Sequence, residues 1–388
     1  FLYLLVIIYI LYEKTLSQTN KAAYNSFLFY KGYKFSPSMQ TLTIQKPDDF
    51  HLHLRDGAAM NSIVNYSAAQ FSRAIVMPNL TPPIISVDMA MSYRKRILDS
   101  VDKNFNFEPL MTLYLTDDTS LSEIVNVSRN ERVKAIKYYP AGATTNSENG
   151  VTDIKKVYSV FEAMTKYDIP LLIHGEVNDK DVDIYDREKV FIENFLIPLA
   201  NDFSDLRIVL EHISTRTAVD FILSASNKLA ATITPQHLLL NRNDLYKDIN
   251  NKDSFQPHNY CAPVVKDEKD RLAVLSAAIS GNPKFFLGTD SAPHALSKKE
   301  SNACLCPGVF SAYNALELYV EIFDKEDQLD KFEAFASFFG ADFYGLERNS
   351  DKITLIKNAV DIPNALPYDN DKIVPMQAGK TCAWQLKR

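Results

Sequence analysis

Residues 48–57 read DDFHLHLRDG. Side chains alternate between the two faces of a strand. A strand here sets His51, His53 and Arg55 on one face and Leu52 and Leu54 on the other. That division suits a strand with a helical layer behind its leucines and a polar rim on its other side. Working outward, similar short apolar runs recur: AIVMP (74–78), EPLMTLYL (108–115), VKAIKYY (133–139), PLLIH (170–174), RIVLEH (207–212), ATIT (231–234) and KFFLGTD (284–290). Segments of helical period lie between most of them, at 87–99, 153–168, 186–200, 215–224 and 268–280. With FHLHL (50–54) this makes eight strands over about 250 residues, which predicts an α/β fold of the (β/α)8 TIM barrel type. A doubly wound sheet is the competing fold, but no Gly-rich phosphate turn follows the first strand.

A chain of 388 residues suits one large barrel or two ordinary domains. Its 46% hydrophobic and 23% charged residues are ordinary for a globular enzyme. The net charge is −6 and no stripe of Lys and Arg forms, so no nucleic-acid partner is expected. Cys261, Cys304, Cys306 and Cys382 do not make a disulfide framework and fit a reducing compartment; the C-x-C pair reads as an ordinary loop. The first residues, FLYLLVIIYILYEK, hold an apolar run (1–12) shorter than the ~20 residues of a spanning helix. No basic n-region precedes it and no clear cleavage site follows. Residues 13–38 resemble a linker. The expected organisation is therefore an extension at 1–38 outside the catalytic fold, a barrel at 39–345, and a small C-terminal extension at 346–388. ITLIK and CAWQL in that extension read as small strands packed on the barrel. Further helical patterns cover 309–323 and 327–337. A cytoplasmic protein is expected, with no membrane contact by the catalytic domain; tethering through residues 1–12 is the alternative. One long connection, about 235–267, is of a length that usually carries function.

Catalytic groups of such barrels sit at the C-terminal ends of the strands. His51, His53, Arg55, Asn79, Lys137, His174, His212, Asp290 and His294 all fall there, including five of the seven histidines. Each has a plain structural alternative. A strand-end His can be a packing residue, Lys137 can reach a carboxylate along its apolar stem, and Asp290 can start a turn. Together they point to metal chemistry. Neutral imidazole and carboxylate are ligands of zinc and similar ions, and an H-x-H pair on one strand face offers two ligands to one ion. Two further histidines, from strands five and six, could hold a second ion. An ammonium cannot ligate a metal, but a neutral lysine amine can add carbon dioxide to form a carbamate with two bridging oxygens. Burial beside cations lowers a lysine pKa toward that state. These are the parts of a two-metal hydrolytic centre.

HLHLRDG, MPNLTPP, KYYPAGATTNS, LLIHGEV, LEHIST, TPQHLLLNRN and LGTDSAPH, in this order, resemble the dihydroorotases of the amidohydrolase superfamily. The likeness is to the shorter, monofunctional (type II) kind of many bacteria and lower eukaryotes. It runs from about Met39 to about residue 345. The resemblance implies two zinc ions per chain: His51, His53 and Asp290 on one, His174 and His212 on the other, and N6-carboxylated Lys137 bridging both. It implies that Asp290 is the catalytic proton acceptor and that Arg55, Asn79 and His294 hold the substrate α-carboxylate. It also implies that the backbone at Leu238 meets the ring amide edge and that a loop carrying Thr144 and Thr145 closes over the substrate. The activity implied is reversible, zinc-dependent ring closure of N-carbamoyl-L-aspartate to dihydroorotate, the third step of pyrimidine synthesis. A homodimer is implied as well. Pro307 departs from the family pattern, because a residue with a free N–H usually precedes the glycine that is Gly308 here. Hydantoinases and allantoinases share such a centre, but Arg55, Asn79 and His294 favour a substrate with a carboxylate. A non-catalytic barrel would be expected to lose ligands, and all six positions are filled.

Overall fold

The structure, a computed structural model, describes residues 40–248, 253–301 and 306–387. The extension expected at 1–38, with its apolar run, and Cys304 lie outside the described residues. The first described strand, β1 (Thr41–Gln45), does not enter the barrel. The barrel is built from β2 (Asp48–Leu52), β3 (Arg73–Val76), β4 (Glu108–Tyr114), β5 (Val133–Tyr138), β6 (Leu171–Ile173), β7 (Ile208–Leu210) and β8 (Leu229–Ile233). A hairpin of β9 (Tyr246–Asp248) and β10 (Asp253–Phe255) follows, and β11 (Phe285–Leu287) completes the ring. Each barrel strand pairs in parallel with its sequence neighbour. The ring closes just beyond β11. Asp290 N–H donates to the His51 carbonyl at 2.9 Å, and His53 N–H donates to the Ser291 carbonyl at 3.2 Å. The (β/α)8 barrel read from the sequence is the fold observed, and its closing seam runs through three residues singled out for chemistry.

Two apolar layers hold it. Leu52 and Leu54 join the core between strands and helices, as the alternation predicts. Phe50 does not share their layer. It packs inside the barrel with Ile75, Leu172, Val209 and Phe286. The pairing of β2 with β3 shifts between Asp49 and Leu52, and this irregularity breaks the simple alternation. The inner cluster is capped from the N-terminal end of the strands by the helix Phe339–Tyr344, whose Tyr344 stacks on Phe50 at 5.1 Å. Gly340 is required there, since a Cβ would lie 2.2 Å from the Phe50 ring.

Helices cover 57–70, 87–100, 121–128, 158–166, 187–202 and 216–224, followed by 268–278 and 315–325. The first and third of these were not among the expected helical segments. The segment expected from 309 begins at Ala315, because Val309 and Phe310 are taken by bridges to Ser291 and Pro375. In the C-terminal extension, β12 (Lys352–Ile356) pairs antiparallel with β1 and with a short strand Gln385–Leu386. The extension's β12 thus lies in a three-stranded sheet separate from the barrel sheet and captures the start of the described chain there. No helix among the described residues is long and apolar enough to cross a membrane. Cys261 and Cys382 are free thiols.

The long connection 235–267 is structured rather than open: a helical turn (Pro235–Leu239), the β9–β10 hairpin and short 3₁₀ turns. Its His237 is a packing histidine. The ring donates from Nε2 to the Pro263 carbonyl at 2.9 Å and accepts at Nδ1 from the Thr234 hydroxyl at 2.8 Å. Burial pushes its pKa from 6.5 down to about 4. The unfolded chain therefore takes up this proton first, so stability falls as pH drops from 6.5 toward 4. At 1.36 kcal/mol per unit, His237 accounts for a loss of about 3 kcal/mol over that window. Urea midpoints at pH 7 and pH 4.5 should show the drop, and His237→Gln should reduce it.

Candidate metal centre and active site

The end of β2 and the turn after β11 bring His51, His53 and Asp290 together. Asp290 Oδ1 lies 3.3 Å from His51 Nε2 and 3.2 Å from His53 Nε2, and those two nitrogens are 3.2 Å apart. His53 Nδ1 donates to the Asn79 amide oxygen at 2.9 Å, which leaves its Nε2 lone pair facing Asp290. Asp49, unremarked in the sequence, anchors the seam. Its carboxylate accepts from Thr289 N–H and hydroxyl and from His51 N–H, and burial raises its pKa to about 7.

The second cluster forms at the ends of β6 and β7. His174 Nδ1 faces His212 Nε2 at 3.2 Å, and the rings of His51 and His212 are 5.0 Å apart, so the two clusters adjoin. His174 donates from Nε2 to Glu176 at 3.0 Å. Burial, the largest influence, raises the Glu176 carboxyl, but this bond together with the charges of His174, Lys266 and Arg187 makes the net shift downward. Lys137 is wholly buried on β5, with its Nζ against Glu211 Oε2. Glu211 Oε1 lies 3.1 Å from His51 Nδ1. Glu211 and Glu176 are site residues that the sequence reading missed. Glu211 and His212 are neighbours in the chain, yet both reach the centre, because His212 adopts φ 45°. Arg55 (φ 60°) and Asp290 (φ 44°) are also left-handed. Such backbone is costly away from glycine, and three cases in one site place the strain where the chemistry is.

Burial disfavours the charged forms of His51, His53, His212 and Lys137. Burial, then Lys137 and His53, push His51 well below the usual histidine range; burial, then His174 and Lys137, do the same to His212. Burial lowers His53 against its bond to Asp290, and burial brings Lys137 well below the usual lysine range. His51 Nδ1, Lys137 Nζ and both Glu211 oxygens are buried and meet only one another, and His212 Nδ1, buried too, makes no hydrogen bond. Buried polar atoms are seldom left so. Two sets of three, His51–His53–Asp290 and His51–Glu211–His212, place ligand atoms within 4.8 Å of one another. Neutral imidazoles and carboxylates converging around orphaned atoms fit a metal centre.

The substrate-side residues ring this centre. Arg55 is not the next residue of a straight strand, since β2 ends at Leu52. Its Nε donates to the Pro293 carbonyl at 3.0 Å, and Nη2 lies 3.1 Å from His294 Nε2. That histidine nitrogen also meets the Pro307 carbonyl at 3.0 Å. It can accept from Arg55 or donate to Pro307, one at a time. Burial and Arg55 push His294 down to about 2, so it is neutral. Asn79 Nδ2 donates to the Thr145 carbonyl at 3.0 Å, and Asn146 Nδ2 donates back to the Asn79 carbonyl at 2.9 Å, which ties the loop 140–150 over the site. Thr144, Thr145, Ala262, Pro307 and Gly308 line the cavity with the metal-side residues. Gly308 N–H is engaged by the Tyr260 carbonyl at 3.0 Å. Leu238 is not among the lining residues, and its carbonyl accepts from Arg271 at 2.7 Å.

A parallel barrel with this donor set at the C-terminal ends of its strands defines a metal-dependent hydrolase, and residues 48–372 match the amidohydrolase family. A dihydroorotase from Synechocystis sp. is 57% identical over 348 residues, 90% of this chain and 100% of that protein. The crystal structure of a dihydroorotase from Campylobacter jejuni superposes with a TM-score of 0.82 at 34% identity, covering 92% of this chain and all (100%) of that one. The Saccharomyces cerevisiae dihydroorotase, solved in complex with 5-fluoroorotic acid, gives a TM-score of 0.82 at 32% identity over 90% of this chain and 98% of that one. The chain belongs to the dihydroorotase family.

Proposed function

We propose that this chain catalyses reversible ring closure of N-carbamoyl-L-aspartate to dihydroorotate, with zinc held by His51, His53 and Asp290 and by His174 and His212, and with carboxylated Lys137 between them. The observation that carries this reading is the fully buried Lys137, set against Glu211 and close to His51, His53, His212 and Asp290. When bound, the ions polarise the amide carbonyl and bring the pKa of water to about 7. Asp290, within reach of both sides, takes the proton of the attacking water and passes it to the ring nitrogen as the carbon–nitrogen bond breaks. In the synthetic direction Asp290 runs the same transfer backwards, and the freed side-chain carboxylate of carbamoyl-aspartate is the electrophile. Ring closure takes up a proton, so lower pH favours it.

Arg55, Asn79 and His294 hold the α-carboxylate. The planar guanidinium matches two carboxylate oxygens. A carboxylate that draws the Asn79 amide N–H away from Thr145 would couple substrate binding to the loop carrying Thr144 and Thr145, which then excludes water. In the same reading the backbone at Leu238 contacts the ring amide edge, the protein is a cytoplasmic homodimer, and residues 1–38 stand outside the catalytic unit. Following dihydroorotate and hydantoin side by side tests the substrate. Turnover of dihydroorotate with hydantoin inert is expected; the opposite preference would transfer the site to another cyclic amide.

A further inference from the structure

Tyr139 follows Lys137 by two residues and faces the same cavity. It is only 2% exposed, yet its hydroxyl makes no hydrogen bond. A buried phenol ordinarily finds a partner. Its ring is held on both sides: it stacks on Tyr114 at 5.1 Å, and Lys137 Nζ lies 4.9 Å from its centroid. The His174 ring is 6.2 Å away. Burial, then Tyr114 and Asp290, hold the phenol well above the usual tyrosine range. It is therefore a protonated donor without a partner in a cavity that Arg55 and Asp290 also line. Building on the proposed reaction, we infer that Tyr139 is a catalytic residue whose hydroxyl donates a hydrogen bond to the amide oxygen as that carbon becomes tetrahedral. The phenol stays protonated, and no bond beyond the hydrogen bond is made or broken.

A donor aimed at charge that develops only in the transition state acts on kcat rather than on KM. Tyr139→Phe keeps the ring and its stacking. The expected result is a kcat lower by roughly 100-fold in both directions. KM should stay within about threefold, with metal content and thermal midpoint unchanged. Tyr138→Phe, whose ring lies in the outer core, is the control and should be silent. A raised KM with unchanged kcat would place the hydroxyl on the ground-state carboxylate and overturn the inference. Unchanged kinetics would reduce Tyr139 to packing and overturn it too. If the unmodified chain is inert on dihydroorotate, the reaction assignment fails instead. The same kcat-against-KM split on whichever cyclic amide it opens then decides the role of Tyr139.

Discussion

Lys137→Ala should abolish turnover, by roughly 1000-fold or more, and strip the protein of at least one zinc. The reason is chemical. The side chain supplies no ligand as an ammonium, and its complete burial drives it toward the neutral amine that carbon dioxide can carboxylate. Its removal also isolates Glu211, a wholly buried carboxylate whose Oε2 it touches. Leaving a buried carboxylate without that partner costs stability, so the thermal midpoint should fall as well. Lys137→Met restores the volume and separates the effects: the variant should fold, yet stay inactive and metal-poor. Adding bicarbonate to metal-free wild type should speed its reactivation by zinc and do nothing for either variant. Normal zinc content with normal rates in Lys137→Met would show that no carbamate is used.

Arg55→Met should leave zinc in place and raise KM roughly 100-fold. Hydrogen bonds to charged groups contribute about 1.5–3 kcal/mol each, and a guanidinium can make two to one carboxylate. The loss of about 3 kcal/mol corresponds to that factor at 1.36 kcal/mol per decade. Arg55→Lys should recover little, because an ammonium cannot reproduce the paired geometry. The structure adds a second reason. Arg55 Nε is already held by the Pro293 carbonyl, which fixes the plane of the group before substrate arrives. Steady-state kinetics with metal analysis checks the prediction; unchanged kinetics with zinc retained would remove Arg55 from the substrate site.

The barrel was legible because its strands end in chemistry. His174, His212 and Asp290 each follow an apolar run within a few residues, and the structure places all three just past their strands. The shape of the first strand was not legible. Its register shift arises from pairing with β3, and Asp49 bonds to Thr289, 240 residues away. Local alternation carries no trace of such a contact. Glu211 was hidden for a related reason. In a straight strand it would point away from whatever His212 faces, and only the left-handed turn at His212 brings both inward. Asn79 was read only as a holder of the substrate carboxylate, whereas its oxygen sets the His53 tautomer, a role that appears only when two strand ends are neighbours.

The most direct measurement is a zinc titration of the metal-free protein in bicarbonate, with dihydroorotate ring opening followed at each addition. The account predicts no activity without metal and a rise that levels at about two zinc per chain. Full activity in the metal-free protein, or tight binding of two zinc with no turnover of dihydroorotate or carbamoyl-aspartate, would contradict it.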